Sequence, residues 1–523
     1  MTNLPNQTGE VTSVIADTAS GKVRGAQVNG VSVFRGIPYG GPTEGQGRFL
    51  PPARPEAWPG VRDCTITGPR CVQGPGVLFL DPVIGEYYCG NHPERVTLSQ
   101  QPESENCLNL NVLTPSLTGK RPVMVYIHGG GFTGGSNVMT LFCERFVHEQ
   151  DVVLVGINHR LNLFGYLYLG GLSQKYTSGN AGQLDLIAAL EWVRANIAAF
   201  GGDPDNVTVF GESGGGAKIS TLLAMPSARG LFHRAIIESG SLLKVDDPEA
   251  GTATARAVLA ALGLSEKQLG ELERIPASDL YAALSRVPND KQGPMSPGPV
   301  VDGLTLPHQT WEPTAPLEGA GVPLLVGNCK DELTLFVGVF IPGNPEAAFR
   351  LDATGLRASL AECGIPAGEV DPLLGLYRHA YPAENPVDLF FRITTDRGAR
   401  WNATRQAELR LAQGGANVYT YYFNWNTPCG EGRLRAFHTA ELPLALHLVA
   451  YPEVEPLSRQ ISAAWVAFAR TGNPSHPGLP HWPAYTLDER ATMIFDVPTS
   501  AAVNDPDGEM RRMLRDHPSG SML

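Results

Sequence analysis

The sequence predicts a doubly wound α/β fold built on one large, mostly parallel sheet, and three observations predict it. Short, continuous apolar runs recur along the chain, the mark of strands covered on both faces. Helical patterns fall between them, so strand and helix alternate. Two of the runs lead straight into glycine-rich turns, where ligand sites sit in such folds.

Residues 11–33 open the chain with Val and polar residues alternating around Gly21, Gly25 and Gly30, a pattern that predicts antiparallel hairpins at a sheet edge. The buried strands are then expected at 123–127 (VMVYI), 152–157 (VVLVGI), 207–210 (VTVF), 235–237 (AII), 323–326 (PLLV) and 418–423 (VYTYYF). Between the second and third, NAGQLDLIAALEWVRANIAAF places Leu184, Ile187, Ala188 and Trp192 at helical spacing. Two stretches interrupt the rhythm. Residues 249–290 carry helix-start signals, among them a capping box from Ser265 to Gln268. Residues 343–412 are also mainly helical, and both stretches are expected as insertions over the carboxyl edge of the sheet within a single domain, 1–523.

The totals set the class. The chain of 523 residues is 42% hydrophobic and 18% charged. That is the balance of a globular chain with a large core. The net charge of −12 argues against nucleic acid or an anionic membrane surface as partner, because both need clustered Lys and Arg. The first residues, MTNLPNQTGEVTSV, lack a basic segment followed by an apolar one. No apolar run reaches the length of a membrane span, roughly 20 residues. The expectation is a cytoplasmic protein. Eight cysteines are too few for a disulfide scaffold, and none stand in a CxxC pair that would hold zinc.

The chemistry gathers at TVFGESGGGAKIS. A bare GxSxG is weak evidence in a chain with 59 glycines. Here, however, the run VTVF enters the motif and AKISTLLAM leaves it with helical character, the strand–turn–helix setting of a nucleophile elbow. Ser213 at the apex of so sharp a turn is strained, and Gly211 and Gly215 remove side chains that would clash. The helix beyond aims its free N–H groups and positive dipole end at the apex.

HGGGF, from His128 to Phe132, follows VMVYI and so lies at another strand's carboxyl end. Gly130, Gly131 and Gly214 are the expected donors to a developing oxyanion, with His128 orienting the loop. For the base, His438 stands out in RLRAFHTAELPLAL, after VYTYYF. For the orienting acid, VPLLVGNCKDELTLF offers Asp331 and Glu332, and pattern alone does not choose between them. Serine, acid, histidine is the chain order of α/β-hydrolases.

These residues resemble the type B carboxylesterase family, the cholinesterase-related branch of the α/β-hydrolases, in its bacterial para-nitrobenzyl-esterase-like form. The likeness runs through FRGIPYG (34–40), SENCLNLNVLTP (104–115), HGGGF, GNAGQLDLIAALEWVRANIAAFGGDPDNVTVFGESGGG (179–216), GNCKDELTLF (327–336) and AFHTAELPL (436–444). It implies Ser213 as nucleophile, Glu332 as the acid and His438 as the base. It also implies a disulfide from Cys71 to Cys107, and sets Ser239 beside the acid. Glu212 has two readings, negative potential on the alcohol side of the pocket or an acceptor for loop amides.

The sequence departs from the family pattern in three places. Leu333 replaces the usual glycine, the elbow reads GESGGG where GESAGG is commoner, and Lys218 stands where a small residue is usual. A cation there is disfavoured by the helix N-terminus unless a carboxylate answers it. The stretch from Cys71 to Cys107 holds Phe79, Tyr87 and Tyr88 but no tryptophan, so the aromatic cation site of cholinesterases is expected to be missing.

The resemblance implies hydrolysis of small to medium carboxylic esters through an acyl-enzyme, with no cofactor or metal. The alternatives are an amidase or carbamate hydrolase of the same mechanism, a lipase, and a catalytically inactive binding protein on the same fold.

Overall fold

A computed structural model describes residues 12–74, 82–89, 101–287, 297–337 and 345–519. Residue 11, Phe79, and the short stretches 288–290 and 343–344 of the expected insertions lie outside them.

The described residues form a thirteen-stranded sheet. Its strands are β1 (Ser13–Thr18), β2 (Gly21–Val28), β3 (Val31–Pro38), β4 (Val61–Asp63), β5 (Asn109–Thr114), β6 (Arg121–Ile127), β7 (Val153–Ile157), β8 (Gly202–Glu212), β9 (Arg234–Glu238), β10 (Leu324–Cys329), β11 (Val418–Phe423), β12 (Ala491–Phe495) and β13 (Ala501–Asn504). They lie in the order β1-β2-β3-β5-β7-β6-β8-β9-β10-β11-β12-β13, with β4 beside β2. From β7 through β12 every pairing is parallel, while β1, β2, β3, β5 and β13 join the sheet antiparallel and the short β4 lies parallel to β2. This is the α/β-hydrolase fold.

The six expected strands are all present, and β10 and β11 are buried at every residue, as continuous apolar runs require of a doubly covered sheet. Two parts of the sheet escape a search for apolar runs. In β5 (NLNVLT) Asn109 and Asn111 are buried with their amides satisfied by backbone: Asn111 Oδ1 accepts from Gly36 N, at the irregularity in β3, at 3.0 Å, and Asn109 Nδ2 donates to the Pro69 carbonyl at 2.8 Å. The polar first half of β8 pairs at the rim, with Gly202 opposite Arg121.

In the helix Ala181–Asn196 two of the four residues picked out by spacing, Ile187 and Trp192, are buried in the core. Leu184 and Ala188 are only partly buried, whereas Leu186, Leu190 and Val193 also form core contacts, and even Gln183 and Asp185 are enclosed. Arg160 holds Asp185 there in a bidentate ion pair, with Nε donating at 2.8 Å and Nη2 at 2.7 Å. Such fork-like pairs are the strong ones. The 249–290 stretch forms the helix Pro248–Ala261, a 3-10 segment Glu266–Glu273 whose capping box sets Ser265 N on Gln268 Oε1 at 3.1 Å, and the helix Ala277–Leu284. In the later stretch, the helix Ala399–Ala412 lies directly on β10 and β11.

The strand order positions the site. From β6 the chain moves to β7 on one side, and from β8 it moves to β9 on the other. Neighbouring strands whose connections leave in opposite directions open a crevice at their carboxyl ends. HGGGF follows β6 and Ser213 follows β8, so both motifs border that crevice.

Candidate active site

Ser213 has φ 56° and ψ −124°. Side-chain-bearing residues rarely hold this conformation, which typically costs about 1–3 kcal/mol. The surroundings enforce it. Ser213 N donates to the Glu238 carbonyl at 2.7 Å, and the helix Gly214–Leu222 begins at the next residue. A Cβ on Gly215 would lie 2.0 Å from the Ile127 carbonyl oxygen, and one on Gly211 would lie 2.5 Å from the same atom. Only glycine lets the elbow close this tightly against the end of β6.

The glycine loop lies against the elbow. A Cβ added at Gly214 would sit 2.2 Å from the Gly131 carbonyl oxygen and 2.4 Å from its nitrogen. Gly130 and Gly131 both have positive φ, and the Gly130 carbonyl accepts from Thr133 N and Gly134 N. Among the described residues, no group accepts from the N–H of Gly130, Gly131 or Gly214. His128 is buried, with Nδ1 2.9 Å from the Gly129 carbonyl and its ring stacked on His159 at 4.6 Å. Burial, with Lys218 adding to it, pulls its imidazole down to about 3, so it stays neutral.

Across the crevice, the structure separates the two acids that the sequence left open. Glu332 Oε2 makes a short hydrogen bond with His438 Nδ1. Its Oε1 accepts from Ser239 Oγ and from Cys329 N, each at 2.7 Å, and its own N–H donates to Thr395 Oγ1 at 3.0 Å. Asp331 instead ties two loops: its N–H donates to the Ala436 carbonyl at 2.9 Å, and Oδ2 accepts from Ala436 N at 3.2 Å.

His438 Nε2 is 3.0 Å from Glu212 Oε1, and among the described residues it has no hydrogen-bond partner, Ser213 included. Burial alone would lower this imidazole, but Glu212 and Glu332 on either side push it up to about 9. Burial raises Glu212 to about 8, against the pull of His438. Each of the two buried groups thus favours the charged form of the other. Glu212 therefore faces the base, which neither of its two sequence readings anticipates.

Sequence reading missed the layer beneath. Glu441 accepts from Tyr421 OH at 2.9 Å and from Cys329 Sγ at 2.8 Å, and Thr395 reaches the site from the helix Pro386–Arg397. Burial and Glu332 raise the Glu441 carboxyl, and burial and Glu441 raise that of Glu238. Glu441 follows His438 by three residues, the one signal that was available. Tyr87 and Tyr88 donate to the carbonyls of Ala440 and Thr439, at 2.5 Å and 3.1 Å, and so brace the loop after the histidine. Phe336 lies 5.0 Å from the His438 ring.

Cys71 and Cys107 are both buried, free thiols in side-chain contact, and Cys71 Sγ also accepts from Leu161 N at 3.3 Å. Lys218 is fully buried and donates from Nζ to the His128 carbonyl at 3.0 Å. Among the described residues, no helix is long and apolar enough to cross a membrane.

Known proteins share both the sequence and this architecture. The carboxylesterase family profile matches residues 12–513. The chain is 36% identical to the para-nitrobenzyl esterase of Bacillus subtilis, covering 96% of this chain and 99% of that one. It is 34% identical to the liver carboxylesterase of Sus scrofa, over 93% and 90% of the two chains. The crystal structure of a Geobacillus stearothermophilus carboxylesterase superposes with a TM-score of 0.79 at 36% identity, covering 96% of this chain and 99% of that chain. With matches of this extent, the chain belongs to the carboxylesterase family and is a serine hydrolase of carboxylic esters.

Proposed function

We propose that hydrolysis proceeds by two-step acyl transfer on Ser213, with His438 as base, Glu332 as its orienting acid, and the amides of Gly130, Gly131 and Gly214 as the oxyanion site. One observation carries this reading. His438, hydrogen-bonded to Glu332, lies 3.0 Å from the carboxylate of Glu212, the residue before the strained Ser213, while Gly214 on its other side packs on Gly131, and the N–H groups of Gly130, Gly131 and Gly214 have no acceptor among the described residues.

Substrate entry moves the imidazole edge from Glu212 to Ser213. As Ser213 Oγ bonds to the ester carbonyl carbon, His438 Nε2 takes its proton, and Glu332 stabilises the imidazolium without becoming protonated. The tetrahedral oxyanion rests on the three glycine amides, each worth about 2.7–4 kcal/mol in comparable sites. His438 then returns the proton to the departing alkoxide, and the alcohol leaves. Water repeats the sequence on the acyl-enzyme and releases the carboxylic acid. Ser239 holds the second oxygen of Glu332 and so fixes the direction of the acid.

The substrate is a small to medium ester, and the chain acts as one domain, with the described parts of 249–290 and 343–412 walling the pocket. The adjacency of the Cys71 and Cys107 thiols supports the bridge that the family resemblance implies. The test is hydrolysis of p-nitrophenyl esters of rising acyl length, with Ser213→Ala as control. The expected result is a maximum at short to medium chains and loss of nearly all turnover in the variant. Full activity in Ser213→Ala, or no labelling of Ser213 by a fluorophosphonate, would sink the reading.

A further inference from the structure

Lys218 and Gly214 are two departures from the usual elbow sequence, and they stand four residues apart at the start of one helix, hence on the same face. That face meets the HGGG loop. Lys218 is buried completely, yet its ammonium sits near a helix N-terminus, which repels it. Its Nζ reaches the His128 carbonyl, the last acceptor before the three glycines. The far end of the loop has further anchors: Asn162 N donates to the Phe132 carbonyl at 2.6 Å, Gln73 Oε1 accepts from Gly135 N at 2.6 Å, and the Lys218 ammonium itself lies 5.8 Å from the Phe132 ring centroid. Gly129–Gly131 therefore hang between anchored ends, and Gly214, lacking a Cβ, is where they come to rest.

We infer that Lys218 is a positioning residue that draws the oxyanion loop down onto Gly214, and that the two positions work as one device. The inference rests on the acyl-transfer reading above. Three consecutive glycines lose much conformational freedom when ordered, so a loop aimed at an oxyanion needs fixed ends. An amine donates to a carbonyl whether or not it carries its extra proton, so the anchor survives titration. The charged and titratable groups facing it are Glu212 from β8 and the two histidines, His128 and His159, that follow β6 and β7. Burial keeps both imidazoles neutral, and among these groups Glu212 is the one that favours the charged form of Lys218.

The experiment is a double-mutant cycle of Lys218→Met and Gly214→Ala, with Lys218→Gln as a second variant that keeps an N–H donor. Rates are taken per Ser213 titrated with a fluorophosphonate, so misfolded protein does not count. Lys218→Met is expected to lower kcat on p-nitrophenyl acetate about ten- to hundredfold and to weaken inhibition by a trifluoromethyl ketone about equally. KM should stay within about threefold, because the ground-state ester does not need the aligned amides. Lys218→Gln should retain more activity than Lys218→Met. Gly214→Ala should cost less in the Lys218→Met background than alone, because the loop has already lifted.

The inference is overturned if Lys218→Met keeps kcat and ketone affinity within twofold, if the Gln and Met variants are equal, or if the two substitutions simply add. Absence of Ser213-dependent hydrolysis in the unmodified enzyme would remove the acyl-transfer reading, and this inference with it.

Discussion

On the β6–β8 side of the crevice, geometry comes from what is missing. Gly211, Gly214 and Gly215 have no Cβ, and the backbone of one loop presses against the next at distances no side chain would permit. On the β10–β11 side, geometry comes from filled hydrogen bonds. Glu332 spends both oxygens and its own N–H on Ser239, Cys329, His438 and Thr395, which come from four separate stretches of chain. The first wall is drawn from two contiguous motifs and is stiff through sterics. The second is dispersed and stiff through polar pairing in a dry interior. The difference predicts that the first wall fails through added atoms and the second through lost partners.

The largest effect should come from the apex between them. Ser213→Ala is expected to lower kcat by about 10⁴-fold or more without changing the fold, read by p-nitrophenyl ester turnover and a thermal melt. Next comes the polar wall, where Glu332→Gln should cost about 10³- to 10⁴-fold by favouring the wrong imidazole tautomer. Its neighbour is the control: Asp331→Asn should stay within about tenfold in kcat, since that carboxylate binds a loop amide and not the imidazole. If Asp331→Asn is the more damaging of the two, the assignment of the acid is wrong.

The glycine wall is probed by Gly215→Ala, expected to destabilise the fold by about 3 kcal/mol or more in urea unfolding, since its Cβ meets backbone and cannot be sidestepped. Glu212→Gln tests the charge balance. His438 is pushed up to about 9, with Glu212 the largest upward influence, and the base must be unprotonated to act. Activity therefore rises with pH through the histidine titration, and removing the Glu212 charge should move that acidic limb of kcat/KM to lower pH by about one unit or more. An unmoved limb would mean that Glu212 does not sense the imidazole. The smallest effect belongs to Ser239→Ala, about three- to tenfold in kcat, the loss of one neutral donor among several on Glu332.

The same contrast explains what was legible in the sequence. Apolar runs and glycine motifs are contiguous, so the parallel strands, the elbow and the HGGG loop could be placed from the chain alone. Distance in sequence hid the rest. Nothing near Glu332 announces Thr395, and β5 is disguised by asparagines whose amides serve backbone elsewhere. The choice between Asp331 and Glu332 needed the family resemblance, because adjacent carboxylates look alike until a backbone turn sends them opposite ways. The helix Ala181–Asn196 was half legible: Ile187 and Trp192 are buried, while Leu184 and Ala188 fall on the same outer face as the exposed Glu191 and Ala195.

The backbone bridge between Asp331 and Phe437 has a mechanical consequence. It clamps the segment carrying the carboxylate to the segment carrying the imidazole, one residue from each. The spacing between Glu332 and His438 is thus set by the backbone as well as by their own hydrogen bond.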